Sequence, residues 1–282
     1  MIEKITFDSG VSGPHLLVLG AIHGNEVAGP NAIFKIIDAI QTYQIHLKSG
    51  RLTFVPICNM QACQKDIRQI DENLNRVIRI HDNPSSYEQH LANEIVPLIK
   101  ACDVLLDLHS THSKGDVPFA FCDYPTSENK ALIEAINVQY VLLGWPEIYA
   151  GKTQISDYST ERCAHDYQKT GITLECGYHK EEDATDVAYA AIVNTLIHLG
   201  MIDGTIAKMP PKTSIRLTDY IVKNKSGHLC QSYKHLDEVI QGQKIAEYDD
   251  GEVLYAPYDG YILLPNANAE IGAEWYYLGE KE

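Results

Sequence analysis

Two histidines and one glutamate carry the strongest chemical signal in the 282-residue chain. His23 and Glu26 are three positions apart, and His109 follows much later. A close pair of ligands with a distant third is typical of a catalytic zinc site, which keeps its fourth coordination position open for water. The pattern predicts a metal site, although a histidine beside a glutamate in the first turn of a helix also occurs on ordinary protein surfaces.

Two further carboxylates occur within apolar segments. Asp107 precedes His109 by two positions, so in a strand both side chains point to the same face. Asp107 either orients an imidazole or bonds backbone amides at the end of the strand, and the sequence leaves both interpretations open. Glu175 ends an apolar run, where an ionised carboxylate costs roughly several kcal/mol unless a metal-bound water or an arginine accompanies it.

Two other polar features compete with simpler interpretations. The segment 68–76 contains two arginines and several carboxamides, but its composition also fits a solvated loop. His112 follows His109 by three positions and could compete with it as a ligand. The expected geometry at the end of the strand favours His109.

Alternating apolar runs and amphipathic stretches indicate the elements that position these residues. We predict strands at 15–20, 51–58, 103–108, 118–121, 140–143 and 171–175, and helices through 33–40 and at 85–101, 127–138, 156–168 and 184–199. The alternation predicts an α/β fold with a mixed, mostly parallel sheet and helices on both faces. The carboxyl ends of parallel strands then open onto the functional crevice.

The pattern of apolar and turn-forming residues changes near residue 205. Short β-rich runs at 214–222, 248–255 and 260–264 are separated by Gly, Pro, Asn and Asp. We therefore predict a catalytic domain at 1–204 and a small all-β domain at 205–282.

Composition excludes several classes of protein. Hydrophobic residues make up 45% of the chain, too many for a disordered protein. The formal charge of −15, with no cluster of Lys and Arg, argues against nucleic-acid and membrane partners. No apolar run approaches the roughly 20 residues of a membrane span, and no signal peptide is recognisable. We expect a cytoplasmic protein with reduced cysteines, and the oligomeric state, including a homo-oligomer, stays open.

Four motifs occur in a characteristic order: His23-Gly-Asn-Glu26, Asp71-Glu-Asn-Leu-Asn75-Arg76, Asp107-Leu-His109-Ser110 and Thr173-Leu-Glu175-Cys-Gly177. Together they resemble the succinylglutamate desuccinylase and aspartoacylase family of zinc carboxypeptidase-like hydrolases. The β-rich C-terminal segment also fits that family, so the resemblance covers most of the chain.

The resemblance implies a role for each matching residue. His23, Glu26 and His109 would bind one zinc ion per chain, and Glu175 would act as the general base. Arg68 would polarise the scissile carbonyl group.

Substrate binding is implied by the same resemblance. Asn75 and Arg76 match the pair that grips the substrate carboxylate. Arg162 resembles a further substrate-binding arginine, with a salt bridge on a helix surface as the alternative. Tyr276 matches a tyrosine that the C-terminal domain places over the site.

The function implied is zinc-dependent hydrolysis of the amide bond of an N-acyl amino acid or a similar small carboxylated amide. A zinc carboxypeptidase or peptide amidase acting on short peptides is the alternative among hydrolases. A non-catalytic metal-binding module with the same fold is the alternative outside them.

Overall fold

A computed structural model describes residues 2–136, 138–150, 158–207 and 211–282. Its strands are β1 Ile5–Asp8, β2 His15–Gly20, β3 Arg51–Val55, β4 Val104–Thr111, β5 Phe119–Phe121, β6 Tyr140–Leu143, β7 Thr170–Tyr178, β8 Thr213–Val222, β9 Gly227–Leu229, β10 Asp237–Val239, β11 Lys244–Tyr248, β12 Val253–Tyr255, β13 Gly260–Leu263 and β14 Glu274–Lys281. Its helices are α1 Ala28–Gln41, α2 Met60–Gln64, α3 Tyr87–Ala101, α4 Ser127–Ala135, α5 Trp145–Tyr149, α6 Thr160–Asp166 and α7 Glu182–His198, with a 3₁₀ turn at Leu74–Arg76.

Eleven of the described strands form one mixed sheet in the order β1-β3-β2-β4-β7-β5-β6-β8-β14-β13-β10. The central strands β3, β2, β4 and β7 are parallel neighbours. Antiparallel pairs of β14 with β8 and β13 extend one end of the sheet. The predicted mixed α/β fold is confirmed, and β9, β11 and β12 form a separate three-stranded sheet.

Hydrophobic layers cover both faces of the large sheet. In β2, Leu16 and Val18 belong to the cluster that contains α1, α4 and α7 side chains. Leu17 and Leu19 belong to the opposite cluster, with side chains of α3 and α6. Alternate strand residues point to opposite faces, which is why nearly continuous apolar runs form these strands.

The C-terminal segment joins the large sheet directly. β8 runs parallel to β6, so pairing crosses the predicted boundary at residues 204 and 205. The segment also has a hydrophobic cluster that includes Trp275 and Tyr276. The division into two domains stays a prediction.

Several predicted bounds change in the structure. The run at 248–255 is not one strand: it contains the end of β11, a turn in which Gly251 adopts a φ of +89°, and β12. β4 and β7 are longer than predicted, so His109 and Glu175 lie within strands. The start of the helix predicted at 156–168 lies outside the described residues. The described part of that range contains α6.

The described part of the chain contains no disulfide bond. All seven cysteines are free thiols, as expected. Among the described residues no helix is both long and apolar enough to cross a membrane.

Candidate active site

Sheet register brings the key side chains of β4 and β7 together. Leu106 and Leu108 pack into one hydrophobic layer, so Asp107 and His109 point to the other face. His109 is the direct partner of Glu175 in the parallel β4–β7 pair. The alternation and register of β4 and β7 therefore bring the side chains of Asp107, His109 and Glu175 close together.

The loop after β2 contributes the other two predicted ligands. Gly24 lies so close to α2 that an added Cβ would stand 2.2 Å from the carbonyl carbon of Ala62. Its N–H donates to the Arg68 carbonyl at 3.1 Å. This close approach requires glycine, and it fixes the loop that carries His23 and Glu26 against the polar segment 68–76.

His23, Glu26 and His109 form a buried cluster. Glu26 Oε1 lies 2.7 Å from His23 Nδ1, and Glu26 Oε2 lies 2.9 Å from His109 Nδ1. One potential ligand atom from each residue lies within 4.8 Å of the others. This set of two imidazoles and one carboxylate could hold a metal ion, and it matches the donors that zinc prefers.

The outer ring nitrogens of both histidines have partners that orient them for such a role. His109 Nε2 lies 3.0 Å from Asp107 Oδ2, and His23 Nε2 lies 2.9 Å from Asn73 Oδ1. Each contact leaves Nδ1 turned toward the shared centre. Carboxylate and carbonyl partners of this kind fix the tautomer of metal-binding histidines.

The pKa shifts of His23 and Glu26 fit the same interpretation, whereas the shift of His109 favours the protonated ring. Burial lowers the pKa of His23 to about 4, with a contribution from Arg68, which keeps the imidazole neutral as a metal ligand must be. Burial opposes ionisation of Glu26, but His23 and His109 outweigh it and hold the pKa of Glu26 well below its ordinary value. For His109, burial is outweighed by the carboxylates of Asp107 and Glu26, which raise its pKa.

Glu175 stands beside this cluster without a full set of partners. Its Oε2 atom is buried and accepts no hydrogen bond from the described residues. Burial and the nearby Glu26 carboxylate raise the pKa of Glu175 to about 8, against the opposing effect of His109 and Arg68. Buried polar atoms are rarely left unpaired, so this oxygen indicates a partner that the described residues do not supply.

The cluster opens into a cavity of about 310 Å³, near the lower end of the usual range for small-molecule sites. Asn75, Arg68 and Arg76 line it together with the predicted ligands. Arg68 Nη1 donates to Glu26 Oε1 at 3.1 Å, and its side chain is half exposed. The cavity wall also includes residues of the C-terminal segment: Leu264, Pro265, Asn266, Glu274 and Tyr277.

The family model for the succinylglutamate desuccinylase/aspartoacylase catalytic domain matches residues 12–198. The chain belongs to this family. It is 28% identical over 253 residues to the N-alpha-acetyl-L-2,4-diaminobutyric acid deacetylase of Halomonas elongata, covering 84% of this chain and 71% of that protein. The succinylglutamate desuccinylase of Vibrio vulnificus is 23% identical over 291 residues, which cover 96% and 82% of the two chains.

Solved structures show the family fold over the whole chain. The product-bound ectoine utilization protein EutE (DoeB) from Ruegeria pomeroyi aligns with a TM-score of 0.81 at 20% identity, covering 99% of this chain and 89% of that one. The succinylglutamatedesuccinylase/aspartoacylase from Rhodobacter sphaeroides also gives 0.81, at 19% identity, with 100% and 89% covered.

Two residues carried over from the family pattern are not among the described residues that line the cavity. Arg162 lies on α6 and pairs with Asp166 at 2.9 Å, the helix-surface salt bridge that was the alternative. Tyr276 is 1% exposed and packs in the C-terminal hydrophobic cluster. Tyr277 lines the cavity in its place. A register shift between Glu274 and Tyr276 in the pairing of β14 with β8 breaks simple alternation, so Glu274 and Tyr277 share the cavity side.

Other site residues were not identified from the sequence. Thr160 donates from Oγ1 to Asp107 Oδ2 at 2.6 Å and from its backbone N–H to Asn75 Oδ1 at 3.0 Å. Thr160 thus links Asp107 to Asn75. The link depends on where α6 packs in the folded protein, so the sequence alone does not predict it. Asn73 lies within the motif Asp71-Glu-Asn-Leu-Asn75-Arg76. Its carboxamide was the only feature of the sequence that could have indicated its contact with His23. His112 lines the cavity but is not part of the metal cluster found among the described residues.

Proposed function

We propose that the chain is a zinc-dependent amidohydrolase that releases the acyl group from an N-acyl amino acid or a similar small carboxylated amide. The observation that carries this proposal is the buried cluster of His23, Glu26 and His109 beside Glu175, whose Oε2 has no hydrogen-bond partner among the described residues. Family membership and the deacylase and desuccinylase relatives support hydrolysis of an amide bond.

A zinc ion at this cluster would lower the pKa of water and polarise a carbonyl oxygen. Glu175 accepts the proton of the attacking water and returns it to the leaving amine nitrogen. Because the pKa of Glu175 is raised, its carboxyl group can hold this proton between the two steps. Glu175 would be ionised at the start of the cycle, because a cation held by His23, Glu26 and His109 would favour its charged form.

Two arginines complete the proposed chemistry. Arg68 stabilises the negative charge that develops on the carbonyl oxygen, and its bond to Glu26 keeps it at the metal cluster. Arg76 lines the cavity over the Trp145 ring, with 5.4 Å from the guanidinium carbon to the ring centroid. Its planar fork suits the substrate carboxylate, and Asn75 lies beside it.

The enclosing C-terminal segment supports a small substrate over a peptide. Leu264, Asn266 and Tyr277 form part of the cavity wall, and a wall on that side limits the length of a bound chain. A carboxypeptidase needs space for the rest of its peptide. The peptidase alternative is therefore the weaker candidate.

The test combines metal removal with a substrate panel. Amine release from N-acetylated amino acids and from short peptides is measured with the purified protein, with chelator-treated protein, and after reloading with Zn²⁺. We expect activity on acylated amino acids that is lost on chelation and regained with zinc. Full activity in verified zinc-free protein would overturn the proposal, and faster release from peptides would favour the peptidase alternative.

A second variant separates catalysis from metal binding alone. We expect Glu175→Gln to retain the metal ion and lose amide hydrolysis. If Glu175→Gln and the unchanged protein both bind zinc but neither hydrolyses any amide, the non-catalytic module replaces the enzyme.

A further inference from the structure

His235 is a buried histidine of the C-terminal segment that contacts the cavity wall from behind. It is 5% exposed and lies two residues before β10, whose register with β13, continued by two positions, places it opposite Leu264. His235 Nδ1 accepts a hydrogen bond from the backbone N–H of Leu264 at 3.0 Å. The proposed hydrolysis gives this histidine no role.

The imidazole of His235 is an acceptor in this bond. An N–H donor requires an unprotonated nitrogen as its partner, so the neutral ring carries its proton on Nε2. Burial lowers the pKa of His235 to about 3, which keeps the ring neutral at pH 7. Nε2 is buried and has no hydrogen-bond partner among the described residues. Within the described part of the chain, the side chain of His235 is therefore bonded to Leu264 alone.

The ring also packs against the large sheet. The Phe119 and His235 rings have centroids 4.3 Å apart and planes inclined by 38°. Phe119 is fully buried and is the direct partner of Glu175 in the antiparallel pair of β5 with β7. His235 is thus anchored on the strand next to the one that carries the proposed general base.

The backbone at this contact has an unusual conformation. Leu264 adopts a φ of +46°, and Leu236, which follows His235, adopts +71°. Residues other than glycine rarely have a positive φ, and Leu264 is restricted further because it precedes Pro265. Such conformations persist where surrounding contacts hold them. The bond from the Leu264 N–H to the imidazole is a contact of this kind.

Leu264 is the first residue of a wall segment, residues 264–266, that the C-terminal part of the chain contributes to the cavity. Leu264, Pro265 and Asn266 all line the cavity. At the far end of the wall segment the Asn266 N–H donates to the Trp275 carbonyl at 2.8 Å. At the near end, the bond to His235 holds Leu264. Loss of that bond would free one end of the wall segment.

We propose that His235 is a positioning residue whose imidazole acceptor holds the wall segment at the cavity and thereby restricts the site to small substrates. The inference rests on the proposed function and assigns its size limit to one hydrogen bond. Without the acceptor, Leu264 relaxes from its left-handed conformation and the wall segment moves, which admits longer substrates and weakens the contacts of short ones.

Variants separate the acceptor from the ring. His235→Phe keeps an aromatic ring beside Phe119 and removes the acceptor, and His235→Leu removes it with a smaller side chain. His235→Asn removes the ring, but its carboxamide oxygen can take the place of Nδ1. The control is His228→Phe, at an exposed histidine of β9 that is not among the described residues lining the cavity.

The first measurement is substrate selectivity of the zinc-loaded protein. We measure kcat/KM for cleavage of the acyl amide in the N-acetyl amino acid that is hydrolysed fastest. Two longer compounds are compared with it: one is extended by an alanine at the carboxyl end, and the other has a hexanoyl group in place of the acetyl group.

Removal of the acceptor should relax this selectivity. In His235→Phe and His235→Leu we expect the preference for the short substrate over at least one longer compound to fall roughly tenfold or more, about 1.4 kcal/mol, with a raised KM and a nearly unchanged kcat for the short substrate. His235→Asn and His228→Phe should keep the wild-type preference. A wild-type preference in the Phe and Leu variants, or an equal loss in His235→Asn, would overturn the proposal.

A measurement without catalysis separates this inference from the proposed function. Hydrogen exchange of the Leu264 N–H, followed by NMR, reports on the bond itself; we expect exchange roughly tenfold faster or more in His235→Phe and His235→Leu, but not in His235→Asn. This result in a protein that hydrolyses no amide would keep the positioning role and reject the enzyme. Amide hydrolysis with unchanged Leu264 exchange in the Phe and Leu variants would keep the enzyme and reject the positioning role.

Discussion

Replacing Glu175 with Gln should stabilise the protein at alkaline pH while it removes the proposed activity. Glu175 has a pKa of about 8 in the folded protein, mainly because of burial, against an ordinary value of 4.5. The folded state therefore retains a proton that the unfolded chain releases. Since the folded state binds more protons, the contribution of Glu175 to the free energy of unfolding falls as pH rises from 4.5 to 8.

The size of the effect follows from the pKa difference. One pKa unit corresponds to about 1.36 kcal/mol, so ionising Glu175 costs the folded state on the order of 5 kcal/mol above pH 8. Below pH 4.5 the side chain is neutral in both states and the penalty vanishes. Gln has nearly the same shape and carries no charge, so Glu175→Gln should gain stability over the unchanged protein across this window.

The assay is urea unfolding between pH 5 and pH 9 with chelator-treated protein. Chelation matters because a cation at His23, Glu26 and His109 would lower the pKa of Glu175 and reduce the effect. The control is Glu3→Gln, at an exposed position, whose stability should follow that of the unchanged protein at every pH. A stability difference between Glu175→Gln and the unchanged protein that is constant with pH, or that grows toward acid, would refute the reasoning.

Three further predictions concern the support of the metal cluster. Asp107→Asn replaces the oxygen that faces His109 Nε2, and zinc affinity should fall roughly 10–100-fold in competition with a chromophoric chelator; unchanged affinity would contradict the orienting role. Gly24→Ala drives a methyl group into the Ala62 backbone, and urea unfolding should show a loss of about 1–3 kcal/mol; a stability equal to that of the unchanged protein would be inconsistent with this packing. Arg68→Ala should lower kcat for amide hydrolysis roughly 10²–10³-fold with a smaller change in KM, and a change confined to KM would instead indicate substrate binding.

The sequence was most informative where strand alternation determined the face of a side chain. The two-residue spacing of Asp107 and His109 predicts a shared face, and the structure has that arrangement with a contact between them. A carboxylate within an apolar run indicates an unusual environment for Glu175, whose buried Oε2 has no hydrogen-bond partner in the described part of the chain. Both inferences depend on local geometry, which sequence patterns encode well.

Features that depend on tertiary position or on irregular geometry were missed. The register shift in β14 moves Tyr276 into the C-terminal core and brings Tyr277 to the cavity, and no local pattern indicated it. Asp123 and Glu161 both line the cavity but are distant in sequence, and the Asp123 N–H donates to Glu161 Oε1 at 2.7 Å. Arg162 follows Glu161 directly, yet helical geometry turns it toward Asp166.

The most direct test of the account is an experimental structure of the zinc-loaded protein with diffraction data on both sides of the zinc absorption edge. The account predicts one anomalous peak per chain between His23 Nδ1, the Glu26 carboxylate and His109 Nδ1, at about 2.0–2.2 Å from each ligand atom, with the Glu175 carboxylate facing it. The absence of a peak there, or a zinc ion held by other residues, would contradict it.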